Sequence, residues 1–136
     1  MPGDAMIIKN FLLAAAAALA VAPALAADLY AVCHPSVTLS ADELREVFLG
    51  EKQFAGSVKL APLENASLQA DFQAKVLKVD AARYASVWSK KGFRDGLTPP
   101  PVRGSDADIL GAIKTNPGSV GYVSKPSADV KVIQKY

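Results

Sequence analysis

From residue 39 to residue 115 the apolar positions fall repeatedly into the spacing of a helix face. Leu44, Val47 and Phe48 form the first stripe. Ser40 stands before it as an N-cap, with Glu43 placed to reach back as the other half of a capping box and Leu39 and Leu44 as a hydrophobic staple. Gly50 suits the left-handed residue that ends such a helix. Leu68, Phe72 and Val76 repeat every four residues behind a polar turn in which Asn65 or Ser67 supplies the cap. Tyr84, Val87, Trp88 and Lys91 share a face behind Asp80, and Gly92 is placed to close that helix. Ile109, Leu110 and Ile113 follow Ser105, an N-cap with Asp108 three residues on. Asn116-Pro117-Gly118 then stop the helix by Thr115.

Between these helices lie short runs with strand character. Asp28 to His34 is rich in apolar residues and stopped by Pro35; Ser57 to Leu63 alternates polar and apolar, with Pro62 restricting it to an edge. Ser119 to Val123 is β-prone and carries Gly121, where another backbone or a ligand comes close; Val130 to Ile133 is a last strand. Gly92 to Arg103, with Pro99-Pro100-Pro101, reads as a long loop. Strands separated by helices predict an α/β fold: one domain built on a mixed, mostly parallel sheet flanked by helices. The predicted core takes Leu29, Val32, Leu44, Phe48, Leu60, Phe72, Val76, Trp88, Ile109, Ile113, Val120 and Tyr122.

The first residues change this picture only by subtraction. Phe11 to Ala27 is an unbroken, Ala-rich apolar run preceded by Lys9 and closing on Ala24-Leu25-Ala26, the small-x-small pattern of a cleaved signal peptide. The expectation is a signal peptide over 1–26 and an exported, periplasmic domain over 27–136; a membrane anchor is the alternative for the run, and Met6 is an alternative start. A net charge of +2 is too small to suggest nucleic acid as a partner, and Lys75, Lys78, Lys90, Lys91 and Arg94, which cluster along the sequence, read as a solvated helix face. The single cysteine, Cys33, excludes an internal disulfide. Cys33 and the only histidine, His34, are neighbours on a strand, so their side chains point to opposite faces and form no nucleophile–base pair. Asp106 and Asp108 are accounted for by capping at a helix start. No constellation for a metal, cofactor or catalytic nucleophile accompanies them, and the chain is expected not to be an enzyme.

Helix N-termini supply oriented amides and partial positive charge to anions, and three segments offer one: Ser36 to Ser40, with Ser36 and Thr38 as hydroxyl donors; Asn65-Ala66-Ser67; and Arg103-Gly104-Ser105. Three pieces, in order, also resemble a known family. Leu39 to Gly50, Val58 to Phe72, and Gly104 to Val123 with its Pro117-Gly118-Ser119-Val120-Gly121-Tyr122-Val123 ending are similar to segments of the phosphate-binding subunit of bacterial phosphate ABC importers. The resemblance implies a single periplasmic-binding-protein-like lobe. It also implies an oxyanion site at Ala66, Ser67, Gly104 and Ser105, with Arg103 as the nearest cation and Ser36 and Thr38 as secondary candidates. The chain departs from the family pattern where it matters most: Ala66-Ser67-Leu68 stand in place of Ser-Gly-Thr, and Glu64 brings negative charge. The expectation is therefore weak binding of phosphate or a similar small oxyanion, with a permease, a sensor or a second copy supplying the missing wall. The alternative is a periplasmic interaction or sensor-regulating module that kept the fold and lost the ligand.

Overall fold

A computed structural model of the protein describes residues 28–136; the expected signal peptide lies outside the described residues. Helix α1 (Ala41–Phe48) starts as its sequence dictates: the Ser40 hydroxyl accepts from the Glu43 amide at 3.1 Å, and the Glu43 carboxylate accepts from the Ser40 amide at 3.1 Å. Gly50 ends it at φ +74°. Helix α2 (Gln69–Phe72) runs directly into a π-helical turn, Gln73–Leu77, stopped by Lys78 in the left-handed region. Neither Asn65 nor Ser67 caps it; Leu68 stands at the cap position, without a side-chain bond. Helix α3 (Ala81–Asp95) is capped by Asp80, which accepts from the Arg83 amide at 2.7 Å. It does not close at Gly92 as expected. Gly92 stays helical, and the left-handed residue is Gly96, whose amide donates back to the Gly92 carbonyl at 3.1 Å. Helix α4 (Asp106–Thr115) follows the Ser105 cap.

The strands are β1 (Tyr30–Cys33), β2 (Phe54–Ala55), β3 (Val58–Lys59), β4 (Ala61–Pro62), β5 (Glu64–Asn65), β6 (Val102–Arg103), β7 (Ser119–Val123) and β8 (Lys131–Lys135). The central sheet has the order β4-β7-β1-β8. The α/β class and the mixed, mostly parallel sheet hold: β4, β7 and β8 run one way, and β1 alone runs the other. β1 pairs antiparallel with both β7 and β8, and β4 pairs in parallel with β7. Residues 124–130 are too few for a crossover helix, so β7 and β8 become parallel to each other by receiving β1 between them. The single strand expected over Ser57 to Leu63 is in fact two two-residue pieces, β3 and β4, and a third, β5, follows directly, each with a different neighbour. β3 makes a hairpin with β2, β4 takes the sheet edge where Pro62 is tolerated, and β5 pairs in parallel with β6.

All the predicted core residues are buried, none more than 7 % exposed. The Phe72 ring stacks on Tyr122 at 4.0 Å and meets Phe48 edge-on at 4.7 Å. Gly121 explains the seating of α4: a Cβ there would lie 2.6 Å from Ile109 Cγ2. The missing side chain lets α4 lie close on β7, which brings the first turn of α4 to the carboxyl end of that strand.

Candidate functional site

β4, β5, β6 and β7 run in register: Pro62 opposite Val120, Glu64 opposite Val102, Asn65 opposite Arg103. Their carboxyl ends and the first turn of α4 therefore form one corner, where α/β sheets bind ligands. Arg103 ends β6, Ala66 and Ser67 follow β5, Gly104 and Ser105 follow β6, and the five are brought together there. Ser36 and Thr38 are not. They follow Cys33, which pairs with Val120 at the opposite end of β7. There Ser36 Oγ bonds His34 Nδ1 at 2.7 Å, and Thr38 Oγ1 accepts from Lys131 Nζ at 3.3 Å.

The donors of the corner are mostly committed. The Ala66 amide donates to the Arg103 carbonyl at 2.9 Å. The Ser67 amide and hydroxyl both donate to Asn65 Oδ1, at 3.2 and 2.7 Å. Ser105 Oγ accepts from the Asp108 amide at 3.3 Å. Gly104 adds no contact beyond the room it leaves, with a built Cβ 3.6 Å from Asp108 Oδ2.

At the centre stands Asp106, whose place at a helix start by itself suggests only capping. The Asp106 carboxylate accepts from the Ser124 hydroxyl at 2.6 Å, the Ser124 amide at 3.1 Å, the Lys125 amide at 3.2 Å and Asn65 Nδ2 at 2.9 Å. Partial burial works against its charge. The Ser124 hydroxyl and amide, the Asn65 amide group and the Lys125 amide together outweigh that cost and hold its carboxyl below the usual range. Consecutive backbone amides converging on one carboxylate make an anion nest, and here the anion is part of the chain.

Asn65 organises this arrangement. It is fully buried and uses its whole hydrogen-bonding capacity: Nδ2 donates to Asp106 and to the Tyr122 carbonyl at 3.1 Å, while Oδ1 accepts twice from Ser67. Its neighbour Glu64 points the other way, as strand alternation requires. It does not face a ligand, contrary to the expectation that its charge lies beside the anion. The carboxyl is 1 % exposed and lies within reach of Gln69 Nε2 at 2.8 Å and of the Tyr84 and Tyr122 hydroxyls, both at 3.2 Å. Burial pushes the Glu64 carboxyl up, and those three donors only partly oppose it. Burial and the Glu64 charge push both phenols up as well.

Asn65, Asp106, Ser124 and the amide of Lys125 are thus the residues that sequence reasoning missed as a group. The available signal was a polar pair, Glu64-Asn65, directly after the run that reads as a strand over Ser57 to Leu63, and a serine directly after the β7 strand. Among the described residues, no group of three or more His, Cys, Asp or Glu is placed to hold a metal ion, and no helix is long and apolar enough to cross a membrane.

No family model matches the chain, and no curated protein matches it. Among solved structures it is similar to an ABC-type phosphate transport receptor from Vibrio cholerae, with a TM-score of 0.49 and 17 % identity. The match covers 79 % of this chain and 46 % of that one, so the chain spans less than half the length of the receptor.

Proposed function

We propose that the protein is an exported interaction or sensor-regulating module in which the anion corner of an α/β lobe is closed by its own Asp106 carboxylate. The observation that carries this reading is the set of four donors on that one group. A free oxyanion entering the corner has to displace a tethered carboxylate already bonded to the Ser124 and Lys125 amides, and to approach two acidic residues, Asp106 and Asp108, on the first turn of α4. A tethered group competes at high effective concentration, so phosphate loses at ordinary concentrations. Export is supported by the Ala-rich N-terminal run and its small-residue ending.

Weak oxyanion binding at Ala66, Ser67, Arg103, Gly104 and Ser105 is the second reading, favoured by one observation. The Arg103 side chain is exposed at the corner and no ion pair to it occurs among the described residues. A permease or a second copy then supplies the remaining wall.

Titration calorimetry with inorganic phosphate and sulfate separates the two. The wild-type protein should give no saturable heat in the micromolar range, and Asp106→Ala, which empties the nest and leaves its amides, should gain binding. Micromolar binding by the wild type that is lost in Arg103→Ala favours the second reading. Micromolar binding that Arg103→Ala leaves unchanged, or an Asp106→Ala protein that is folded and still inert, overturns the reading built on Asp106.

A further inference from the structure

Away from the corner, a cleft of about 310 Å³ opens between the end of α1, the β2–β3 hairpin, α3 and residues 96–98. Small-molecule sites begin at about 300 Å³, so its size suits a small ligand. Its floor is apolar, made by Val47, Leu60, Pro62, Leu97 and the Trp88 indole. The Trp88 ring is anchored from behind, its Nε1 donating to the Phe48 carbonyl at 3.1 Å, and Gly50 folds over its edge: a Cβ at Gly50 would lie 2.9 Å from Trp88 Cη2. The lip is cationic. Lys52 and Lys59 line it from two different segments, with Gln53 and Thr98 as neutral polar groups, and the stem of Lys91 passes beside Gly50. No carboxylate is among the lining residues; Glu43 pairs with the Lys52 ammonium at 3.2 Å, which leaves Lys59 as the lining cation without an ion pair among the described residues.

An apolar floor with an aromatic wall and a lip of lysines recognises a molecule with an apolar body and one anionic head. We infer that this cleft binds a small organic monoanion of the carboxylate class, its hydrocarbon part on Trp88 and Leu60 and its head between Lys52 and Lys59. The site shares no residue with the Asp106 corner, and its ligand differs from inorganic phosphate in needing the apolar body.

Trp88 is the only tryptophan of the chain and lies in the cleft wall, so its emission reports occupancy directly. The purified protein is titrated with sodium hexanoate, 1-hexanol and inorganic phosphate. Hexanoate should change Trp88 emission saturably in the low-millimolar range, with 1-hexanol and phosphate both weaker. Lys59→Glu, an exposed substitution checked for fold by circular dichroism, should weaken hexanoate about fivefold, since it removes one solvent-exposed ion pair and adds a repulsion. Lys52→Gln should act in the same direction. No saturable change with hexanoate overturns the proposal. So does equal binding of 1-hexanol or phosphate, or affinity unchanged in both lysine variants. None of these outcomes bears on the Asp106 nest, where phosphate calorimetry is decisive.

Discussion

Replacing Asn65 by alanine tests whether one buried amide holds the corner together. The substitution takes from Asp106 a charge-assisted bond, about 1.5–3 kcal/mol, and from the buried Tyr122 carbonyl a neutral one, about 1 kcal/mol. The two bonds from Ser67 lie nearer the surface, where water takes their place, and contribute little. The sum is roughly 2.5–4 kcal/mol, a large share of the 5–15 kcal/mol that typically holds a domain of this size. Urea unfolding followed by Trp88 emission and far-ultraviolet circular dichroism measures it, provided the slope is unchanged. Asn65→Asp sharpens the test, because it keeps the shape but turns both donors into acceptors and sets a second carboxylate within about 3 Å of the first. At neutral pH it should destabilise at least as much as alanine. On acidification it should recover, since one shared proton then joins the two carboxyls. A loss below about 1 kcal/mol in Asn65→Ala, or an Asn65→Asp protein without pH dependence, refutes the assignment of Asn65 as the organising residue.

Three further outcomes are expected. Glu64 has a folded pKa raised above its unfolded value, so its contribution is fully present below the unfolded value and is lost as pH rises through the folded one. Glu64→Gln should flatten that decline, and urea midpoints from pH 4 to 8 that fall equally in both proteins would exclude Glu64 as its source. Gly121→Ala drives a methyl into Ile109 and should cost about 1–3 kcal/mol by unfolding, whereas Gly56→Ala, with open space around it but φ +60°, tests backbone strain alone. Mass spectrometry of the exported protein should find an N-terminus at or next to Ala27, and an intact Met1 or Met6 on exported protein would show that the apolar run is retained.

What the sequence made legible was what neighbouring residues decide. The Ser40 capping box, the Asp80 and Ser105 caps, the Gly50 terminator and the stripes of α1, α3 and α4 need no partner beyond a few positions away, and each is where its pattern put it. The division of residues 57–65 was not legible, because what separates β3, β4 and β5 is a change of partner from β2 to β7 to β6, contacts far apart in the chain. Gly92, inside α3, and Gly96, at its cap, are both glycines, and the local pattern does not say which of them takes the left-handed conformation. The corner was legible in position, since its expected residues do meet at the strand ends, but not in chemistry. Polar residues at 64 and 65 read as solvated or capping groups, and nothing local announces that one turns into the core while the other satisfies a distant aspartate.

That division at β5 links the two polar networks physically. Glu64 and Asn65 share a two-residue strand and face opposite ways, so a shift that moves one carries the other. On the Glu64 side the protons can be counted. The single Tyr84 hydroxyl proton faces two acceptors, the Phe48 carbonyl at 3.1 Å and Glu64 Oε1 at 3.2 Å. As a carboxylate, Glu64 draws that proton to itself and leaves the Phe48 carbonyl with Trp88 Nε1 as its remaining donor. As a protonated acid, Glu64 donates to Tyr84, which then donates to Phe48, and both contacts are bonds. The neutral form therefore ties β5 to the end of α1 through α3 with every group satisfied, in agreement with the direction in which burial moves the Glu64 pKa. Asn65 holds Asp106 from the other face of the same two-residue strand, so both networks share β5 as their support.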